Sequence, residues 1–207
     1  MDYNLLPDRK RIQSAMDAVK ARGIAVELLE TKEAALERLL AIIPPGSDVM
    51  TAGSTTLTQI GLDALLISGR HPWHNLKGAL LAEKDPAKQS ALRKQSSLAD
   101  YFLGSVHAIA ETGEIVVASA TGSQLAPYAF SSALIIWVAS AQKITPTLED
   151  GIRRVREYVL PLEDRRMRSV TGNQRGSFIG KLLIFEKEAP PLHRTVTLLL
   201  VNEVLGF

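Results

Sequence analysis

The 207-residue chain contains no cysteine. Disulfides, thiol nucleophiles and cysteine-held iron–sulfur clusters are therefore excluded from this chain, and a reducing compartment fits. No apolar run is long enough to cross a bilayer as a helix, the longest being SALIIWVASA near 132–141. The N-terminal MDYNLLPDRKRIQ lacks an apolar signal core, and its charges follow Leu5-Leu6 instead of preceding them. A cytoplasmic protein is the expectation. Lys and Arg outnumber Asp and Glu by only 24 to 22, with no long basic run, so neither nucleic acid nor a membrane surface is indicated as a partner.

Several chemical signatures are missing as well. No G-x-G-x-x-G follows a strand, so a dinucleotide fingerprint is absent. GSFIGKL at 176–182 is one residue short between its glycines for a P-loop, and Leu182 stands where a metal-binding hydroxyl is required. His71 and His74 have no ligand spacing for zinc, and no G-x-S-x-G elbow marks a nucleophilic serine. No cofactor is expected to be held by these residues.

What remains is rich in apolar residues, at 46%, enough for a sizeable core in one domain over 1–207. Helical spacing runs through 5–22, from Thr31 to Ile43, over Leu57–Leu66, over 86–98 and from Thr147 to Val159, where Thr147-x-x-Asp150 forms a capping signal. Strands are predicted at 23–30, 48–52, 101–110, 114–119, 133–139, 181–188 and 195–207. Irregular excursions are expected near 68–84 and 161–180. The strands are continuous apolar runs instead of alternating ones, which is the pattern of a parallel sheet covered on both faces. A three-layer α/β/α fold with a mostly parallel central sheet follows.

Two polar turns interrupt this apolar pattern. After the strand at 48–52, Thr51 is followed by Gly53, Ser54, Thr55 and Thr56 at a helix start. Those hydroxyls either cap the helix or, with free backbone N–H groups, meet an anion. In AIAETGEIVVASATGSQ (108–124), Glu111 sits in a turn with Thr112 and Gly113. It is either an ordinary hairpin carboxylate or a general base or nucleophile in a partly dry site. Gly122, Ser123 and Gln124 form a third polar loop, and Lys143 follows the strand ALIIWVA, where it matters only if it faces the same anion.

Taken together, GSTTLTQIGL, ADYFLGSVHAIAETGEIVVAS and VNEVLGF resemble the lactate-utilisation (LUD) domain family, the YkgG-like proteins that include LutC, over roughly 8–207. The resemblance implies a fold similar to ribose-5-phosphate isomerase, glucosamine-6-phosphate deaminase and CoA transferases. It implies phosphate contact at Gly53, Ser54 and Thr55, and it likens Ala110-Glu111-Thr112-Gly113 to the Ser-Glu-Asn-Gly turn of class I CoA transferases. Three functional expectations follow from it. One is a subunit of an L-lactate to pyruvate oxidation system, binding an anionic small molecule and partnered by iron–sulfur subunits. The others are a stand-alone enzyme on a sugar phosphate or CoA ester using Glu111, and a non-catalytic sensor or scaffold. Relatives read D-G-x-G-N-R and G-x-N-K where this chain reads Ser119–Gln124 and Ser140–Lys143, so an arginine and an acidic residue are lost while Gly122 and Lys143 stay. Arg165, Arg166 and Arg175 are candidates to restore the positive charge. A homodimer is expected through the apolar EVLGF.

Overall fold

The structure is a computed structural model describing residues 2–188 and 194–207. Its central sheet has six strands: β1 (Ala25–Leu29), β2 (Asp48–Thr51), β3 (His74–Asn75), β4 (Tyr101–Gly104), β7 (Leu134–Ser140) and β10 (Thr195–Val201). They lie in the order β1-β10-β7-β4-β2-β3, and every pairing is parallel. A second sheet joins β5 (Ala108–Ala110), β6 (Ile115–Ser119), β8 (Ile144–Thr145) and β9 (Lys181–Phe185) in the order β8-β5-β6-β9.

Alternate residues of the central strands feed two different cores, because successive side chains point to opposite faces. Ile135, Trp137, Leu198 and Leu200 enter one core, together with helix α1 (Arg9–Ala21) and the second sheet. Ile136, Val138, Leu199 and Val201 enter the other, against α2 (Lys32–Ile42), α3 (Thr55–Gln59) and α4 (Leu62–Ser68). This is the three-layer α/β/α arrangement read from the strand composition. Trp137 stacks edge-on between Tyr128 and Phe185, at 5.5 and 4.9 Å between ring centroids, which ties the two sheets together.

The helices follow local rules. Asp8 caps α1 by accepting from Arg11 N, and Ile12, Ala15, Met16 and Val19 supply its buried stripe. Thr31 caps α2, and Thr147 caps α7 (Leu148–Arg154).

Four expectations need correction. The run 101–110 is not one strand: β4 stays in the central sheet, while β5 pairs with β6 and β8 in the other. The chain turns between them at Ser105–His107. The region 68–84 holds β3 and a helix, α5 (Leu76–Ala82), capped by Asn75, before α6 (Pro86–Gln95). The charged segment 161–180 begins as helix α8 (Leu160–Val170), continuous with α7 through a π-helical turn at Val155–Val159. Pro161 lacks the N–H that a regular α-helical bond would need, which accounts for the widened turn before it. Finally, β10 stops at Val201, and residues 202–207 form an irregular tail.

Gly104, the last residue of β4, has no room for a side chain: a β-carbon there would lie 1.5 Å from the hydroxyl of buried Tyr128. Gly104→Ala is expected to cost about 2–3 kcal/mol by overpacking. Urea unfolding measures it, and a loss below about 0.5 kcal/mol would contradict the tight packing described.

Candidate functional site

The carboxyl ends of β2, β4 and β7 open onto a cleft of about 290 Å³. Such crevices are where open α/β sheets place ligands, and this volume suits a small metabolite better than a dinucleotide. Residues 52–56 after β2 form one wall, Ser105–His107 after β4 the floor, and Lys143 after β7 an inner corner. The loop after β6, with Ser123 and Gln124, and helix α8, with Glu163 and Arg166, form the opposite side.

Each wall has a local cause. Ser54 caps α3, its hydroxyl accepting from Leu57 N at 3.3 Å, so the capping reading of the glycine–hydroxyl turn holds for that residue. Thr55 does something else: its Oγ1 is buried, lines the cleft region and has no hydrogen-bond partner among the described residues. Thr56 is buried and its Oγ1 accepts from Lys143 Nζ at 3.1 Å. Beyond β7, Ser140 caps a single 3-10 turn at Ala141–Lys143, which folds Lys143 inward.

Lys143 dominates the electrostatics. Its side chain is only 2% exposed, and Nζ also donates to Ser105 Oγ at 3.1 Å and Val106 O at 3.0 Å. All three partners are neutral, and Lys143 forms no ion pair with any described carboxylate. Burial, reinforced by the positive charge of Arg154, holds its pKa well below the usual lysine value. Arg154 is itself fully buried: Nη1 donates to His107 O at 2.5 Å, and the guanidinium lies over Tyr158 and Tyr3 at 5.1 and 5.7 Å. Its Nε and Nη2 have no partner among the described residues.

His107 completes the floor. Its Nδ1 accepts from Ala118 N at 3.1 Å, so the neutral ring carries its proton on Nε2. Burial first, then the charges of Lys143 and Arg154, push its pKa down to about 3. His107 is a neutral hydrogen-bond donor at physiological pH.

The structure thus brings together Gly53, Ser54, Thr55, Thr56, Ser123, Gln124 and Lys143. Thr51 ends β2 behind this wall, its carbonyl taken by Lys77 Nζ at 3.2 Å, and Gly122 turns the neighbouring loop with φ 89°. Of the three arginines considered, only Arg166 reaches the cleft, and there it is paired with Glu163 through two bonds of 2.6 and 2.7 Å. Glu111, Thr112 and Gly113 lie elsewhere. They form the turn of the antiparallel β5–β6 hairpin, with Gly113 at φ 98°. Three residues of β5 put that turn about 10 Å from the cleft end of the strand. Glu111 pairs with Arg11 of α1 at 2.5 Å, and Gly113 packs so closely on Ala18 that a β-carbon would sit 2.7 Å from its backbone.

Ser105, His107 and Arg154 escaped the sequence reading. The polar pair Ser105-x-His107 inside the apolar run YFLGSVHAIA was the available signal. Arg154 gave none, since a lone arginine on a helix usually reaches solvent.

A family model for the LUD domain matches residues 12–175, most of the chain. The chain belongs to the LUD domain family. A solved structure, a DUF162 family protein from Deinococcus radiodurans, superposes with a TM-score of 0.52 at 13% sequence identity. That likeness spans 95% of this chain and 98% of the other, and it supports the fold alone. No curated protein matches the chain. The family is associated with lactate utilisation.

Proposed function

We propose that this LUD-domain protein binds a small anionic metabolite in the cleft, with Lys143 as its electrostatic anchor. One observation carries the reading: a lysine only 2% exposed, with three neutral oxygen partners and no paired carboxylate among the described residues. Burying such a charge costs several kcal/mol, and an anion entering the cleft offsets that cost. Arg154 adds positive potential behind it, and the free Thr55 hydroxyl and His107 Nε2 offer donors.

Lactate utilisation narrows the anion to the 2-hydroxy and 2-oxo carboxylates, L-lactate and pyruvate. The protein then acts as a LutC-like cytoplasmic subunit of an L-lactate oxidation system. The cysteine-free chain hands electron transfer to partner iron–sulfur subunits. Calorimetric titration of the intact protein with L-lactate, pyruvate and inorganic phosphate tests the binding. A carboxylate is expected to bind, and at a hundred times its Kd to add about 2.7 kcal/mol of stability. Binding by none of the three would overturn the proposal.

A further inference from the structure

We propose that Lys143 is a nucleophilic amine, forming an imine with the carbonyl carbon of a 2-oxo carboxylate held in the cleft. The inference rests on the anion-binding reading above and goes further, from binding to covalent chemistry.

The surroundings of Nζ accommodate the neutral amine as well as the ammonium. A free amine has two N–H donors and one lone pair. Val106 O, with no hydrogen to give, takes one N–H at 3.0 Å. Thr56 and Ser105, both at 3.1 Å, carry hydroxyls that can turn: one accepts the second N–H and the other donates to the lone pair. An ammonium's three donors are matched by the same oxygens, but its charge meets no counter-ion among them, so the proton is lost more readily than from an exposed lysine. Arg154, buried nearby with two nitrogens unpartnered among the described residues, disfavours a second permanent positive charge.

A glycine lies against the amine. The tail passes over Lys143 at Gly206, where a β-carbon would lie 3.3 Å from Nζ and 2.3 Å from Thr56 Oγ1. Any other residue would press on the amine and its hydroxyl partner. On the same floor, His107 keeps its proton on Nε2, which has no protein partner among the described residues. It is placed to donate a hydrogen bond to the carbonyl oxygen as charge develops there.

In the step, the Nζ lone pair attacks the carbonyl carbon; a C–N bond forms as the C–O π bond breaks. A proton passes from nitrogen to the new alkoxide, giving a carbinolamine. Its hydroxyl then leaves as water, and Lys–NH2 plus O=C becomes Lys–N=C plus H2O. No oxidant or reductant is consumed.

The test is reductive trapping. The intact protein is incubated near pH 7 with pyruvate and cyanoborohydride, which delivers hydride to the imine carbon and leaves a stable 1-carboxyethyl amine. Intact-mass measurement and peptide mapping are expected to find one adduct per chain, on Lys143. It should form at least about tenfold faster than on any other lysine, since each unit of pKa depression raises the neutral fraction about tenfold. L-lactate, lacking a carbonyl, should give no adduct. Lys143→Arg should lose the adduct, because a guanidinium stays protonated and forms no imine. Pyruvate binding without an adduct at Lys143 overturns the imine and leaves the anion reading intact. Absence of both binding and adduct overturns the two together. Mapping on the unaltered protein decides the matter even if the arginine variant does not fold.

Discussion

Lys143→Met is expected to lose anion binding while melting at a higher temperature than the parent protein. The two effects share one cause. Truncating one side of a buried charged contact typically costs about 3 kcal/mol of binding, or roughly a hundredfold in Kd. In the empty protein, however, the ammonium is a liability, because nothing of opposite charge faces it among its three partners. Replacing a buried ion by an apolar chain of similar volume commonly stabilises by about 1–4 kcal/mol. Val106 O loses its donor in the variant, whereas Ser105 and Thr56 keep each other within 3.4 Å. A net gain of about 1–2 kcal/mol is therefore expected, with each kcal/mol worth about 2–4 °C at this chain length.

The pH dependence supplies an internal check. The folded-state pKa of Lys143 lies below its ordinary 10.5, so the unfolded chain binds the extra proton between those two values. Stability of the parent protein therefore rises with pH across that window, and the penalty is gone above 10.5. The advantage of the Met variant should shrink steadily as pH climbs towards 10.5. Thermal melts across that range measure it. A variant that melts lower than the parent throughout would show Lys143 to be a favourably paired structural lysine and would remove the basis for the anion site.

His107→Asn is expected to flatten the acid side of the stability curve. The ring takes up a proton near pH 6.5 when unfolded but only at about 3 when folded. Between those values the unfolded state holds more protons, so stability falls as pH falls, by about 1.4 kcal/mol per unit for this one group. Partial access from the cleft reduces the total to roughly 3–4 kcal/mol by pH 3. Asparagine preserves the acceptor for Ala118 N but does not titrate in this range. Urea unfolding between about pH 4 and pH 7 should therefore give a curve shallower by one proton in the variant. Above pH 6.5 the two proteins should differ by less than about 1 kcal/mol. Parallel curves over the acid range would show that His107 is solvated, and the dry floor of the cleft would have to be abandoned.

Much of the scaffold was legible because its causes are local. The stripe Ile12–Val19, the caps at Thr31 and Thr147 and the unbroken apolar strands LIIWVAS and TVTLLLV all act within one element. Elements misjudged from the sequence have non-local causes or overlooked local ones. Nothing within 101–110 says that residues after Gly104 leave their sheet, since β4 and β5 are both apolar and the choice is made by their partners. Helix α8 was hidden by its charges, although Glu163–Arg166 and Asp164–Arg168 stand at the three- and four-residue spacings that pair on a helix.

The sequence alone determined that this is a cysteine-free α/β chain of the LUD kind, with a glycine–hydroxyl turn at a strand end, because composition, periodicity and motif are properties of neighbouring residues. Which polar groups share a cleft was decided only by the tertiary structure. Lys143 meets Thr56 across 87 positions and Ser105 across 38, while Glu111, closer to Lys143 in sequence than Thr56 is, is carried off to α1 by its hairpin. Charge burial depends on distance in space, and a lysine becomes an unneutralised cation only where folding has removed the water around it.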